Sequence, residues 1–228
     1  MKASPYQLLR ASTQSLLDSE LRAQDWVKRS GIFTRKIDDQ TQLWLSLGMT
    51  SYGYPSAPVV NVWPNIGIRH LSIESIEKST RAIENKWPLA LLVIGVKHLL
   101  EPRHGDWWYW LVTEENQQEQ CSDLLWAIAT VAPRFAAEHG TLEQLIVDLR
   151  GRLTASRGPL SEHYSLPIAL FVAGRNDEAV EALELGAKSC RGETYAAAVD
   201  FRLFRRGLRK LIRNAEKTKA ARPRASEK

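Results

Sequence analysis

The run Leu43-Trp44-Leu45-Ser46-Leu47-Gly48-Met49-Thr50 alternates without a break, with Leu43, Leu45, Leu47 and Met49 on one side of an extended chain and Trp44, Ser46, Gly48 and Thr50 on the other. A period of two is the mark of a strand with one face in a core. The neighbouring runs Trp26 to Ile37 and Val59 to Trp63 are also rich in β-branched and aromatic residues. Between them lie Asp38-Asp39-Gln40 and Gly53-Tyr54-Pro55, which have turn chemistry. Three antiparallel strands are predicted, one from each run.

Working outward, Leu8, Leu9, Leu16, Leu17 and Leu21 recur at helical spacing behind Pro5, so residues 4–25 are predicted to form a helix capping the sheet. After Arg69-His70 the period lengthens, and Ile73, Ile76, Thr80 and Ile83 mark a helix to about Glu84 that is expected to pack on the same sheet. Leu89 to Val96 follows Pro88 and contains Val93, Ile94 and Val96, which favours a buried strand. Trp107 to Thr113 reads as a strand covered on both faces, because both of its faces are aromatic or aliphatic.

Helices dominate from Glu115 onward. Cys121, Leu124, Leu125 and Ile128 form one stripe, and Thr141-Leu142-Glu143-Gln144 is a capping-box pattern ahead of Leu145 and Leu149. Arg150 to Pro159 holds two glycines, a proline and no acid, and is the best linker candidate. Beyond it come a helix through Ala173, a turn at Gly174-Arg175-Asn176-Asp177, a helix over Glu178 to Ser189, and a long helix from about Glu193. The expected fold class is α+β, an antiparallel sheet of about five strands flanked by helices and followed by a small C-terminal helical unit. The expected division is an α+β domain over 1–152, a helical hairpin plus basic amphipathic helix over 158–215, and a disordered basic tail over 216–228.

The order of elements, with Trp26 to Arg35 early and Gly67 to His70 later, resembles small uncharacterised bacterial α+β domains of the domain-of-unknown-function class over residues 4–150. That resemblance implies a fold and no settled activity. Near 164–190, the spacing of Leu170, Gly174, Ala179, Leu183 and Gly186 is similar to one helical hairpin of a tetratricopeptide repeat, without the family's early Trp and Leu-Gly pair.

At 228 residues, 44% apolar and 25% charged, the chain has the composition of a globular protein with a real core. The longest apolar stretch, Pro88 to Val96, is about half of the ~20 residues a membrane-spanning helix needs. The start Met1-Lys2-Ala3-Ser4-Pro5 lacks the apolar centre of a signal peptide, so a cytoplasmic location and no transmembrane segment are expected. Cys121 and Cys190 stand in no metal or disulfide spacing and read as buried thiols. His98, Glu101 and His104 cluster in sequence, but their spacing matches no ligand motif and Pro102 argues against a helix that would gather them. There is no nucleophile elbow and no phosphate-cradling glycine loop, and no cofactor, metal or catalytic residue is assigned.

Two features point to anions. Arg29 and Arg35, read as one strand and an even number of residues apart, would face one side and join Arg69 at an anion-binding surface. A solvated sheet face with snorkelling side chains accounts for the same residues. The second feature is charge asymmetry. The last 27 residues carry eleven Lys/Arg against Glu216 and Glu227, whereas residues 1–201 carry 20 Lys/Arg and 24 Asp/Glu. Within that segment Phe201, Phe204, Leu208, Leu211 and Ala215 mark an apolar helix face, while Arg202, Arg205, Arg206, Arg209, Lys210 and Arg213 form a basic one.

The leading functional expectation is a non-catalytic binding or accessory protein, immunity-like or regulatory, recognising a protein partner. The alternatives are phosphate-backbone binding by the basic helix, and an enzyme using the Arg29, Arg35 and Arg69 surface.

Overall fold

Thr41–Tyr54 and Ala57–His70 form two strands of 14 residues each, joined by the two-residue turn Pro55-Ser56. Every residue of one strand has a partner on the other, from Tyr54↔Ala57 at the turn to Thr41↔His70 at the far end. The alternation in residues 43–50 is the middle of this ribbon. The computed structural model describes residues 3–81, 89–100, 110–155, 161–191 and 196–221. In chain order the elements are α1 (Pro5–Ala23), β1 (Val27–Arg29), β2 (Ile32–Lys36), β3 (Thr41–Tyr54), β4 (Ala57–His70), α2 (Leu71–Arg81), β5 (Leu92–Gly95), a 3-10 turn (Val96–Leu99), β6 (Trp110–Val112), α3 (Gln117–His139), α4 (Leu142–Ala155), α5 (Ser161–Val172), α6 (Asn176–Ser189) and α7 (Ala196–Ala221).

The chain divides into two compact units, residues 1–70 with 86–141, and residues 71–85 with 142–228. The first is an α+β layer pair. Its antiparallel sheet runs β1-β2-β3-β4-β5, and β6 pairs with β4 on the far side from β3. Leu43, Leu45, Val60, Val62, Ile66 and Ile68 on one sheet face are at most 1% exposed. Against this face pack α1 and α3. α1 buries Leu9, Thr13, Leu17 and Leu21, one residue per turn, and α3 buries Leu124, Ile128, Val131 and Phe135. Each such aliphatic or aromatic side chain contributes about 1.5–3 kcal/mol when taken fully from water. α1 starts where its sequence allows, because Ser4 Oγ accepts from Gln7 N–H and the Gln7 side chain accepts from Ser4 N–H at 2.9 Å.

Residues 26–37, read from sequence as a single strand, are a hairpin. Ser30 and Gly31 both take positive φ, 51° and 81°, and β1 folds back on β2 with Arg29↔Ile32 and Val27↔Thr34. β6 also departs from expectation: Trp110 and Val112 are buried, but Leu111 between them is 41% exposed, so one of its faces is open. Trp107 to Tyr109 lie outside the described residues.

The second unit is helical and centred on α5, in which the seven consecutive residues Tyr164 to Leu170 are all buried. A helix apolar all round must be surrounded, and α2, α4, α6 and α7 each pack against it. α2 therefore belongs with the helices and not, as expected, on the sheet. It is pinned by charge: Glu77, 7% exposed, accepts from Arg81 at 2.7 Å, and the Arg81 guanidinium lies 4.0 Å over the Tyr164 ring. Arg81 also pairs with Asp200 of α7 at 3.1 Å, and Tyr164 donates to the same carboxylate at 3.0 Å.

Arg150 to Ala155, the first part of the proposed linker, are the last turns of α4, where Leu145, Ile146 and Leu149 are buried. Arg150 pairs with Glu178, which Arg175 also holds at 2.7 Å. α5 and α6 make the expected hairpin, turned at Gly174 with φ 76°. α7 continues to Ala221, so residues 216–221 are helical where disorder was expected, while 222–228 lie outside the described residues. Among the described residues no helix is long and apolar enough to cross a membrane.

One close approach is decisive for the ribbon. Gly48 lies opposite Trp63, and a Cβ there would overlap the Trp63 indole. Gly48→Ala is expected to cost about 1–3 kcal/mol in denaturant unfolding, with the penalty shrinking when Trp63 is also changed to Ala because the two sites share the same space.

Candidate functional site

α7 carries the strongest concentration of one charge. Its apolar face buries Ala198, Phe201, Phe204, Leu208 and Ile212, at intervals of three and four residues, and Phe201 sits against the bare Cα of Gly186 on α6. That docking fixes which way the helix is turned. Arg202, Arg206, Lys210 and Arg213 are consequently exposed, and Arg205 and Arg209 sit half-buried at the border with α6. At 100° per residue the six cations share an arc of about 140°, and Arg202 to Arg213 span about 16 Å along the axis.

Five of them, Arg202, Arg205, Arg206, Arg209 and Arg213, line a shallow cavity of about 270 Å³. Glu184 of α6 organises its edge. Arg205 donates from Nη2 to both carboxylate oxygens, at 2.7 and 2.8 Å, and Arg209 donates to Glu184 Oε1 at 2.5 Å. The hydrogen bonds from Arg205, with the Coulombic attraction of Arg205, Arg209 and Lys188, pull the Glu184 carboxyl below the ordinary carboxylate range. One carboxylate thus serves two guanidiniums at the cavity's edge. Lys210 lies on the same basic arc outside the cavity lining.

The other proposed anion surface separates. Because residues 30–31 turn the chain, Arg29 stands opposite Ile32, on the sheet face that carries Lys36, Gln42 and Arg69. Arg35 stands opposite Leu43 and so faces the core, its guanidinium 4.9 Å over the Trp26 ring and its pKa lowered by burial. Arg69 donates to Gln42 Oε1 at 2.7 Å. Arg29 and Arg69 share a face, whereas Arg35 roofs the edge of the core. The Ser30-Gly31 dipeptide is the signal that could have revealed this.

Both cysteines are buried free thiols, and burial pushes the Cys121 thiol up to about 11. His98 lies on the 3-10 turn, while Glu101 and His104 lie outside the described residues. Among the described residues no three His, Cys, Asp or Glu side chains gather as metal ligands.

Sequence reasoning passed over a second concavity, in the first unit. β5 pairs with β4 from Asn65 to Ile68, and β6 pairs with it from Val60 to Val62. Trp63 and Pro64 fall between the two, and Pro64, with no N–H, suits a position where pairing on that side lapses. A notch of about 190 Å³ lies there, lined by Trp63, Asn65, Gly95, Lys97, His98 and Trp110. The Trp110 indole is fixed by donation to Asp123 at 2.8 Å.

No protein-family model, curated protein or solved structure matches the chain.

The clamp on Arg205 and Arg209 has a pH signature. A carboxyl whose folded pKa is depressed adds stability that is complete above its ordinary value near 4.5 and is lost as pH falls through the folded value. Glu184 is 39% exposed, so the effect is below about 1 kcal/mol. Glu184→Gln is expected to flatten the acid limb of the stability profile by that amount, measured by denaturant unfolding from pH 7 down to pH 3.

Proposed function

We propose that the protein is a non-catalytic binding protein whose recognition element is the basic face of α7, and that the ligand is the phosphate backbone of a nucleic acid. One observation carries the reading: five arginines line one cavity, with Glu184 bridging Arg205 and Arg209 at its edge. Arginine presents a planar fork that matches phosphate oxygens in pairs. The ~16 Å of helix from Arg202 to Arg213 runs past about five phosphates of one strand at 3.4 Å of rise each. Clamping by Glu184 restrains two of the side chains before any ligand arrives, which lowers the conformational cost of binding. Such contacts position a backbone and carry no base preference.

A second reading, recognition of an acidic protein partner, is favoured by Val199 and Leu203. Both are exposed on α7, one turn apart and beside Arg202 and Arg206. An apolar pair rimmed by arginines is a common composition for a protein-recognition surface.

The full chain is expected to bind duplex and single-stranded oligonucleotides of random sequence with an affinity that falls steeply as salt rises. Replacing Arg202, Arg206 and Arg213 together by Ala is expected to reduce the slope of log K against log salt by about 2–3 with little change in melting temperature. Fluorescence polarisation with labelled oligonucleotides measures both. Salt-insensitive binding, or an unchanged slope in the triple variant, removes the backbone reading and leaves the protein-partner one.

A further inference from the structure

The β3–β4 ribbon leaves part of one edge unpaired. Pro58 and Pro64 have no N–H, so Gly53↔Pro58 and Leu47↔Pro64 are pairs that exchange no backbone bonds, and the ladder alternates between them. The odd-numbered residues of β3 therefore point their N–H and C=O away from β4. Two bonds agree: Thr41 O accepts from Ile37 N–H at 2.9 Å, and Gly53 O accepts from the Tyr6 hydroxyl at 2.6 Å. β2 covers this side of β3 only as far as Ile32↔Ser46. Met49 and Ser51 lie between the two covered ends, and no described residue bonds their N–H or C=O groups there. Backbone groups in that position take water or a partner.

Sheet edges are ordinarily protected by charge, proline or shortness. β1 is three residues long and carries Lys28 and Arg29, and the side of β4 away from β3 holds Pro58 and Pro64. The Met49–Ser51 edge has none of these, and no charged residue occurs from Thr41 to Ile68. The edge also has a floor. Tyr6, Arg10, Gln14 and Asp18 recur every four residues along one flank of α1. Tyr6 reaches the edge at Gly53, and Asp18 pairs with Lys28 of β1 at 2.5 Å, so Arg10 and Gln14 run beneath the unpaired stretch. From Tyr6 to Asp18 is about 18 Å of helix, the length of about five residues of extended chain. Gln14 donates to Asp18 at 2.6 Å, whereas Arg10 is exposed and makes no ion pair among the described residues.

We propose that the Met49–Ser51 edge takes up an extended acidic segment of a partner protein as an added strand. The segment's backbone bonds the N–H and C=O groups of Met49 and Ser51, as in β-strand addition. Its side chains alternate between two faces. Those turned toward α1 pass Arg10, where a carboxylate meets the guanidinium. Those turned the other way lie beside Thr50 and Tyr52, both exposed on the sheet face away from α1, where β-branched side chains make favourable cross-strand pairs. Arg10 selects an acidic segment over a second copy of the ribbon, because residues 41–68 bring no acid to that position. This inference does not depend on α7, and its test keeps the two apart.

The full chain is titrated at physiological salt with a fluorescent eight-residue peptide alternating Val and Glu, with its N-methylated form, and with a peptide alternating Val and Lys. The proteins are the wild type, Ser51→Pro, Ser51→Ala, Arg10→Glu and the triple α7 variant, with melting recorded for each. Because the Ser51 N–H faces away from β4, proline there removes an edge donor and leaves the ladder bonds in place. The Val/Glu peptide is expected to bind the wild type, Ser51→Ala and the triple α7 variant alike, and Ser51→Pro about tenfold more weakly. Arg10→Glu is expected to reverse the preference, taking the Val/Lys peptide in place of Val/Glu. Failure of the wild type to bind the Val/Glu peptide overturns the proposal, as does equal affinity for the N-methylated or the Val/Lys peptide. Loss of binding in the triple α7 variant also overturns it and gives the acidic peptide to α7. Where Ser51→Pro melts early, the N-methylated peptide and Arg10→Glu decide the outcome. Sedimentation of the wild type alone checks the other occupant: a dimer that Ser51→Pro dissociates, with no peptide bound, overturns the proposal and assigns the edge to a second copy.

Discussion

The register of the β3–β4 ribbon governs the first unit. Two strands of 14 residues held by a two-residue turn leave no freedom to slip, since a shift of one residue would send Leu43, Leu45, Val60, Val62, Ile66 and Ile68 to the opposite face. Everything else is attached to this ribbon. β2 lines up on β3 so that Phe33 joins Leu45 in the core, and β5 and β6 share the free side of β4. α1 and α3 close the apolar side. Tyr6 of α1 reaches Gly53 O at 2.6 Å near the ribbon's tip, and Gln117 of α3 donates to Thr13 of α1 at 2.9 Å. The face turned away from these helices keeps the alternation's other half: Gln42, Trp44, Ser46, Gly48, Asn61, Trp63 and Asn65.

The same ribbon was the most legible part of the sequence, because period-two patterning in residues 43–50 is a direct image of strand geometry. Leu9, Leu17 and Leu21 were legible for the corresponding reason in a helix, though Leu8, counted with them, is exposed. Local punctuation was harder. Ser30-Gly31 reverses the chain in two residues, and missing it inverted the side assigned to Arg35. The packing partner of α2 was not legible, since Ile73 and Ile76 announce an apolar face without saying what covers it. Buried Glu74 and Glu77, held by Lys78 and Arg81, are intelligible only once α5 and α7 are in place. The helix through 216–221 follows from continuation of α7, which composition alone does not register.

Of the candidate sites, the arginine face of α7 could be read because all its members lie on one helix. Glu184 could not, being on another helix 21 residues before Arg205. The notch was out of reach for a topological reason. It exists because β4 changes partner from β5 to β6 between Asn65 and Val62, and its lining comes from three strands and a turn that share no motif.

Arginine count is therefore a poor guide to an anion site, and the environment of each guanidinium is the better one. Arg35 covers Trp26, Arg69 pairs with Gln42, Arg81 ties three helices, and Arg175 braces a turn through Glu178 and Glu143. These cations are occupied with structure. On α7 five arginines crowd one cavity, and like charges at that density repel one another. Here the intervening positions 203, 204, 207, 208, 211 and 212 are Leu, Phe, Gly, Leu, Leu and Ile, so no acid appears between Arg202 and Arg213. Along that stretch the helix itself supplies no counter-charge, and what reaches Arg205 and Arg209 comes from another element, as Glu184 does from α6.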